Sequence, residues 1–348
     1  MSVMATAPDA SALIEARRQA TLRFAVGVTA AFVLCEAQQW IPSFLGPLFT
    51  VALLANLPVR PPLKMSLGLV ITMTLAAFFA YALAALFRGT PTVLFGTLAL
   101  TMFLGFHAIA SGRPSLPFIL LLICVATIPV IVMIAPAQAE AFPKAMIRGM
   151  AVAVLMIGIV YLPWPHAPVP APAPAPAPEA GPSATAPMVQ ALLSTAVVMP
   201  LMLVYLMLGL ADALPVIITT ILLVITFDVQ RGRQQAMAMI LGNLVGGLLG
   251  LILHTVLLVV PNLWTLGALL FVVLLGFGQR IFSGGPTAPV AVITCNSMLI
   301  ILSLTIVSEG ASLSVWLTRL FQFTLAGAFA VGMMSLISPR TSVQPATH

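Results

Sequence analysis

The chain has 348 residues, of which 61% are hydrophobic and 6% are charged. Because about a quarter of the residues in a soluble domain are charged, this composition excludes an ordinary soluble protein and predicts an all-α polytopic membrane protein. The formal net charge of +6 comes from basic residues that stand singly or in small groups between apolar runs. That spacing is typical of topology signals and not of nucleic-acid binding. No metal-binding cluster, nucleophile–base pair or phosphate-cradling loop is apparent, so we expect neither an enzyme nor a cofactor.

The first segment, 1–21, is expected to lie in the cytoplasm or at the membrane interface. Residues 9–20 have the pattern of a short amphipathic helix, with Arg17, Arg18 and the following Arg23 facing lipid headgroups. A frayed terminus that carries simple basic anchors explains the same residues equally well. Either form puts positive charge at the beginning of the first span.

Two apolar blocks of similar length follow, and each contains six segments near the length of a membrane span. We therefore expect about twelve transmembrane helices, divided into a first six-helix repeat at 22–162 and a second at 188–338. The predicted spans are 22–40, 42–57, 65–87, 92–110, 115–135 and 144–162 in the first repeat, and 188–210, 213–227, 235–260, 263–280, 287–307 and 316–337 in the second.

A proline-rich linker, 163–187, separates the two repeats. Ten of its 25 residues are proline. Because proline fixes φ and lacks a backbone donor, the segment is predicted to be an extended spacer that buries nothing. The last segment, 339–348, is expected to be a short cytoplasmic tail.

The distribution of basic residues predicts the orientation of the chain. With the N-terminus inside, ten Lys and Arg residues fall on the cytoplasmic side and four fall on the periplasmic side. This agrees with the positive-inside rule for a bacterial inner-membrane protein, and it puts both termini and the linker in the cytoplasm. Because six spans return the chain to its starting side, the two halves must be parallel repeats, related by an axis along the membrane normal.

A repeated turn supports an internal duplication. The sequence SGRPSLP at 111–117 recurs as SGGPTAP at 283–289, which is an SGxPxxP pattern 172 positions later. Arg148 and Arg319 occupy matching positions at the beginning of the sixth span of each half. Together these matches predict that the halves share one fold.

The second span of each half is short for a membrane helix. The spans 42–57 and 213–227 correspond to about 23–24 Å of helix against about 30 Å of hydrocarbon, and each has a proline, Pro42 or Pro215, in its first turn. Matched short spans in two repeats indicate a transporter's binding site. A helix that begins inside the membrane directs free N–H groups and its positive dipole end at a cavity, which favours an anion. The alternative is a tilted bundle with local bilayer thinning.

Polar residues gather just before these two short spans. Glu36, Gln38 and Gln39 end the first span, and Asp212 ends the seventh. A carboxylate in or near hydrocarbon is a candidate for function by default, so Glu36 and Asp212 are predicted to bind and release a proton during transport. The alternative for both is a solvated carboxylate at the periplasmic interface.

Four further residues are candidates for the substrate pathway. Arg113 and Arg280 flank the two SGxPxxP turns, where a guanidinium group is suited to capture a carboxylate from the cytoplasm. The alternative is that these arginines only anchor the topology. His107 either relays protons or binds the substrate carboxylate, or it only hydrogen-bonds a backbone carbonyl. Asn296 hydrogen-bonds either the substrate or, more simply, a neighbouring helix.

The loop after each short span is predicted to be cytoplasmic and basic. The first loop contains Arg60 and Lys64, and the second contains Asp228, Arg231 and Arg233. Glycines at 242, 246 and 250 then lie four apart on the ninth span. They form a small-residue face that lets a neighbouring helix approach closely.

These features give the chain a resemblance to the fusaric-acid-resistance-like (FUSC) family. The resemblance rests on the basic start before the first span, the short second helix that leads into a basic loop, and the glycine-studded helix that follows Arg231 and Arg233. It covers nearly the whole chain as six spans, a cytoplasmic insert and six more spans. The chain departs from the long members of the family because the Pro–Ala linker replaces their large cytoplasmic domain. In this respect the chain is similar to a short branch of the family.

The resemblance implies an inner-membrane exporter of small organic, in particular aromatic, carboxylic acids that is driven by the proton-motive force. It also implies a periplasmic membrane-fusion adaptor as a partner. Plant aluminium-activated malate transporters resemble a half-length version of this family that dimerises. A homo-oligomer of the present chain is therefore a further alternative. Two alternatives remain at this stage: a passive anion channel, and a membrane scaffold of an envelope complex that transports nothing.

Overall fold

The computed structural model describes residues 10–57, 59–165, 186–208, 221, 229–285, 287–307, 314, 317 and 321. Within these residues the chain forms ten α-helices and no strands. The helices are α1 (Ala10–Ala37), α2 (Leu45–Asn56), α3 (Leu63–Leu86), α4 (Pro91–Ala110), α5 (Ser115–Ile134), α6 (Ala141–Val160), α7 (Pro187–Leu208), α8 (Val229–Val259), α9 (Leu263–Phe282) and α10 (Ala288–Val307). Nine of these ten described helices are long and apolar enough to cross a membrane, and the exception is α2. The prediction of an all-α polytopic membrane protein is therefore confirmed.

Two helix starts differ from the sequence prediction. The chain does not form a separate amphipathic helix before the first span, because α1 runs without a break for 28 residues from Ala10. No proline or glycine interrupts the sequence between Ala10 and Arg23, and its Ala, Leu, Glu, Gln and Arg residues favour helix. Similarly, α8 begins at Val229, so the backbone of Arg231 and Arg233 is helical where a loop was expected.

Several predicted elements lie outside the described residues. They include most of the linker and of the spans 213–227 and 316–337, and the tail 339–348. The candidates Asp212, Pro215 and Asp228 are among the residues that the structure does not describe.

The main helix contacts between the halves have counterparts made by the equivalent helices of the other half. Helix α1 packs on α9, and α4 packs on α7, so in each case a first span meets the fourth span of the other half. Within the halves, α3 packs on α5 as α8 packs on α10. The glycines of the two SGxPxxP turns also match in backbone conformation, since φ is 78° at Gly112 and 74° at Gly284. Both values lie in the left-handed region that glycine adopts without strain.

Helix α2 is the enclosed element at the centre of the first half. It has 12 residues, so it is about 18 Å long at 1.5 Å per residue, even shorter than the sequence predicted. It packs against α1, α6 and α10, and eight of its residues, including Pro47, are buried. The longer helix α3, in contrast, exposes Leu67, Leu75 and Phe78, as a helix that faces lipid does. The start of α2 therefore lies inside the protein, where it contacts both halves.

Candidate functional site

A chain of hydrogen bonds joins the two halves just before α2. The Ser43 hydroxyl donates to the Glu36 carboxylate over 2.5 Å, and the Ser43 and Ser303 hydroxyl oxygens lie 2.6 Å apart. A serine has one hydroxyl hydrogen. Because the Ser43 hydrogen is directed at Glu36, the Ser303 hydroxyl must donate to Ser43. If Glu36 gained a proton, the same three groups would satisfy one another with both donations reversed.

The two serines of this chain of hydrogen bonds are buried. Ser43 is 3% exposed and Ser303 is 2% exposed, and they come from the loop before α2 and from α10, 260 positions apart. Glu36 is partly buried, so it is the most exposed of the three residues. A carboxyl group followed by two hydroxyl groups, each able to donate and to accept, can pass a proton along its length. Such polar groups inside a membrane protein point to function.

A second polar feature lies on the neighbouring helix α6. The guanidinium carbon of Arg148 stands 5.1 Å from the centre of the Trp40 ring, which is within the range of a cation–π interaction. Arg148 Nε is buried and has no hydrogen-bond partner among the described residues. Most buried polar groups in native proteins are paired. An arginine donor left free inside a membrane span is therefore suited to bind an anion or a water molecule.

Arg148 and Trp40 border a small cavity at the first turn of α2. The cavity has a volume of about 10 Å³ and is lined by Cys35, Trp40, Pro42, Leu45, Gly46, Ala145, Arg148 and Gly149. Phe44, at the N-cap of α2, has no side-chain oxygen to accept the first N–H groups of the helix. The Gly46 N–H is directed at Cys35 Sγ and Pro47 has no N–H, so the helix dipole is the feature of α2 that favours a negative charge. The Arg148 guanidinium adds a full positive charge beside it. The volume accommodates about one water molecule, so the site is closed in this conformation.

Close glycine packing fixes the walls of this cavity. A Cβ added at Gly149 of α6 would lie 3.0 Å from Leu45 Cβ and 3.2 Å from the Gly46 backbone nitrogen. A Cβ added at Gly46 would lie 2.7 Å from Cys35 Sγ. Because lipid supplies no hydrophobic driving force between helices, such close approaches are a main source of helix association in membranes. They hold the start of α2 against α6 beside Arg148.

A second arginine lies at the opposite end of the α1–α6 pair. The Arg23 guanidinium carbon stands 4.4 Å from the centre of the Tyr161 ring, and Arg23 Nη1 donates to the Trp164 carbonyl over 3.5 Å. The Tyr161 hydroxyl in turn donates to the Leu57 carbonyl over 3.3 Å. Arg23 is only 7% exposed. The expectation that Arg23 faces lipid headgroups is therefore wrong, because α6 ends against it and supplies its partners.

Arg113 and Arg280 are both exposed, Arg113 in the turn between α4 and α5 and Arg280 in the last turn of α9. Their capture of substrate stays a prediction.

The remaining candidates from the sequence are spread over the chain. The His107 ring stacks on Phe103 at 6.0 Å, its Nε2 lies 3.5 Å from the Ser111 hydroxyl, and its Nδ1 is buried without a partner among the described residues. Asn296 is partly buried on α10, and its Oδ1 is likewise unpaired within that part of the chain. The other described candidates surround the start of α2 or follow its end. Pro42 lines the cavity and Gln38, Gln39, Arg60 and Lys64 are exposed.

Four residues of this site were not among the candidates from the sequence: Trp40, Ser43, Arg148 and Ser303. Arg148 was used only in the count of basic residues and as evidence for the internal duplication. It is the eighth residue of α6, so its position inside an apolar helix was the signal that an ionisable group lies within the membrane. The two serines carried no comparable signal, because hydroxyl side chains commonly bond the backbone of their own helix.

The comparisons with known proteins concern the half of the chain that contains this site. Residues 20–160 match the family model described as "Protein of unknown function (DUF2955)". The matched region nearly coincides with the first predicted six-helix repeat, and it contains Glu36, Trp40, Ser43 and Arg148. No curated protein and no solved structure matches the chain. The first half is thus similar to an uncharacterised family, and the resemblance to the FUSC family stays a prediction.

Proposed function

We propose that this protein exports small organic carboxylates, in particular aromatic ones, across the bacterial inner membrane. The observation that carries the proposal is the position of Arg148, whose guanidinium lies against Trp40 with a buried, unpaired Nε at the start of α2. Within a span, a guanidinium donor that is buried without a partner is costly unless an anion or a water molecule joins it. A carboxylate is the organic anion that pairs with guanidinium through two parallel hydrogen bonds.

The aromatic preference follows from the neighbours of the guanidinium. The Trp40 ring already stacks on Arg148, and an aromatic acid would bring a second ring to the same apolar cavity wall. Offset or edge-to-face ring pairs contribute about 0.5–1.5 kcal/mol beyond their buried area. A lysine or an exposed arginine would attract the same carboxylate but would offer no surface to select its ring.

Export is the direction that the membrane potential favours. A potential that is negative inside drives one negative charge outward by about 2.3 kcal/mol per 100 mV, so a carboxylate needs no further energy source to leave. Glu36 is a second negative charge near the cavity, since it follows the lining residue Cys35. Two like charges disfavour each other, so a proton taken up by Glu36 from the periplasmic side would favour anion binding from the cytoplasm. Release of that proton inward through Ser43 and Ser303, while the anion leaves outward, would let the proton gradient drive export in addition to the potential.

The closed cavity favours a carrier over an open channel. Its volume of about 10 Å³ is far below the roughly 300–1,000 Å³ of ordinary ligand sites. Transport therefore requires the loop before α2 to separate from α6 or from α10. The bond between Ser43 and Ser303 is the polar contact that such a movement would break. The periplasmic adaptor is part of the proposal through the family resemblance alone.

The proposal is tested by efflux from proteoliposomes loaded with benzoate under an imposed potential. We expect Arg148→Gln to lower the initial rate by at least about tenfold, because a charge-assisted hydrogen bond contributes about 1.5–3 kcal/mol. Lys144→Gln is the matched control, since Lys144 is an exposed residue of the same helix that pairs with Glu140 at 3.7 Å. Equal rates for the two variants would refute substrate binding at Arg148. Glu36→Gln should abolish the dependence of the rate on internal pH while efflux driven by the potential persists.

A further inference from the structure

A basic groove lies between the two halves, away from the Arg148 site. It has a volume of about 480 Å³ and lies between the beginning of α1 and the end of α9. Its lining residues are Arg17, Arg18, Thr21, Leu22, Leu275, Gln279, Phe282 and Ser283. None of these residues has a place in the transport proposal, so the groove poses a separate question.

Tight contacts below the groove give it a fixed shape. A Cβ added at Gly278 of α9 would lie 3.0 Å from Thr21 Cγ2 of α1, so the two helices touch there at glycine distance. One turn away, the Phe24 and Phe282 rings meet edge to face with their centres 6.0 Å apart. The groove therefore adjoins closely packed contacts between the two helices, which form a rigid base. A ligand would therefore enter without reorganising the protein, and this lowers the cost of binding.

The groove has charged and polar residues beside apolar ones, which suits a ligand with a charged headgroup and an apolar tail. Its outer rim carries the Arg17 and Arg18 guanidinium groups, with the Gln279 amide and the Ser283 hydroxyl opposite them on α9. Its apolar lining is formed by Leu22, Leu275 and Phe282, which are more buried than the polar residues of the rim. A planar guanidinium binds phosphate through parallel hydrogen bonds. The Gln279 amide can donate to and accept from hydroxyl groups beside a phosphate, and the Ser283 hydroxyl, which donates to the Arg280 carbonyl over 2.8 Å, can accept from them. A free inorganic anion would leave the apolar lining unused.

One carboxylate competes for this charge. Glu15 lies 3.6 Å from Arg18, but both side chains are at least half exposed. Exposed ion pairs of this kind contribute little and open readily. Arg280, one residue beyond Gln279, is exposed at the same end of α9 and adds to the positive potential. The groove therefore keeps a net attraction for an anion.

The equivalent contact in the other half lacks this charge. With the repeat spacing of 172 positions, Arg17 and Arg18 correspond to Val189 and Gln190 of α7, and α7 packs on α4 as α1 packs on α9. Basic residues are thus not required to hold a first span against a fourth span. Their presence at the α1–α9 groove calls for another reason.

We propose that the groove between α1 and α9 binds the phosphodiester headgroup of an anionic phospholipid. Arg17 and Arg18 hold the phosphate, Gln279 and Ser283 bond the polar part of the headgroup, and an acyl chain lies over Leu22, Leu275 and Phe282. The bound lipid bridges the two halves at the end of the molecule where α1 begins. The positive-inside rule assigns this end to the cytoplasmic leaflet, where anionic lipids are concentrated. The inference does not depend on the transport proposal.

The test is native mass spectrometry of the full chain with phosphatidylglycerol or with phosphatidylcholine of identical acyl chains. We expect phosphatidylglycerol to be retained preferentially by the parent protein. Because both arginines would hydrogen-bond the phosphate directly, and charge-assisted hydrogen bonds are the stronger ones, Arg17→Gln with Arg18→Gln should weaken phosphatidylglycerol binding by at least about 30-fold. Arg60→Gln with Lys64→Gln removes the same charge from exposed residues outside the groove and should change binding by no more than about twofold.

Two further arms separate the groove from surface charge alone. Ser283→Trp keeps both arginines but fills the rim of the groove, and it should weaken phosphatidylglycerol binding as strongly as the double arginine variant. Glycerol 3-phosphate, which has the charge without the acyl chains, should not displace the lipid. Equal retention of the two lipids, equal loss in the two double variants, normal binding by Ser283→Trp, or displacement by glycerol 3-phosphate would each overturn the proposal.

Discussion

The two ends of the α1–α6 helix pair use the same chemical groups for different purposes. At one end Arg23 of α1 stacks on Tyr161 and donates to the Trp164 carbonyl. At the other end Arg148 of α6 stacks on Trp40, but its Nε has no partner among the described residues and it borders a cavity. An arginine whose donors find partners within the fold stabilises that fold. An arginine with an unpaired buried donor is instead available to a ligand.

Replacing each arginine in turn gives the largest expected difference between the two ends. Arg23→Gln removes the ring contact and the bond to Trp164, and we expect a loss of about 2 kcal/mol in stability. Arg148→Gln should change stability by less than about 0.5 kcal/mol, because the lost ring contact is offset by removing an unpaired buried donor. Thermal unfolding in detergent measures both. An equal drop in melting temperature would mean that Arg148 is as structural as Arg23.

The glycine contact that holds α2 beside Arg148 offers a second test. Gly149→Ala adds a methyl group 3.0 Å from Leu45 Cβ, so overpacking at about 1–3 kcal/mol should exceed the gain in helix propensity. Gly158, on the same helix α6, has nothing within 4 Å of an added Cβ. Gly158→Ala should therefore stabilise the protein slightly, by up to about 1 kcal/mol. If both variants unfolded at the same temperature, the close approach of α2 to α6 would be wrong.

The hydrogen bond between the halves should have a smaller effect on stability and a specific effect on coupling. Ser303→Ala removes one hydroxyl and should cost about 1 kcal/mol. It should also weaken the pH dependence of efflux, since the proton then lacks its route beyond Ser43. Thr305→Ala is a matched control because the Thr305 hydroxyl bonds only carbonyls of its own helix. An unchanged pH profile in Ser303→Ala would exclude this serine from the proton route.

The smallest expected effect concerns the ring on which Arg148 lies. Trp40→Phe keeps an aromatic face but weakens the cation–π interaction, for which tryptophan is the strongest partner. We expect a loss of about 0.5 kcal/mol in benzoate affinity, or two- to threefold. Isothermal titration of the purified variant measures this change. A stronger affinity in the phenylalanine variant would argue that Trp40 blocks the cavity instead of shaping it.

The sequence predicted those parts of the fold that depend on length and hydropathy. The boundaries of α3, α4, α9 and α10 follow from apolar runs that end at proline, glycine or charged residues, which is local information. The short helix α2 was predicted from the length of its apolar run, but Pro42 was wrongly expected in its first turn, because α2 begins at Leu45. Glu36 was identified because a carboxylate beside an apolar run is rare in any context.

The rest of the site depends on contacts that no local pattern contains. Ser43 and Ser303 are 260 positions apart, and each is an ordinary polar residue within its own segment. Arg148 joins the site only because the loop after α1 folds back and lays Trp40 over it. The expectation that Arg23 lies at the lipid surface was wrong for the same reason: its partner Tyr161 lies just beyond the end of another helix, which no local pattern shows. Side-chain partners across distant segments are set by packing and not by periodicity.

The most direct test of the central claim is a binding measurement at Trp40 itself. The protein has four tryptophans, and replacing Trp164, Trp264 and Trp316 with phenylalanine leaves Trp40 as the single emitter. The Trp164 contact with Arg23 survives because it uses the backbone carbonyl. Titration with benzoate should then change Trp40 fluorescence saturably, and Arg148→Gln should abolish the change while Arg23→Gln retains it. Saturable binding that persists without Arg148, or that disappears only without Arg23, would contradict the assignment of Arg148 as the anion-binding residue.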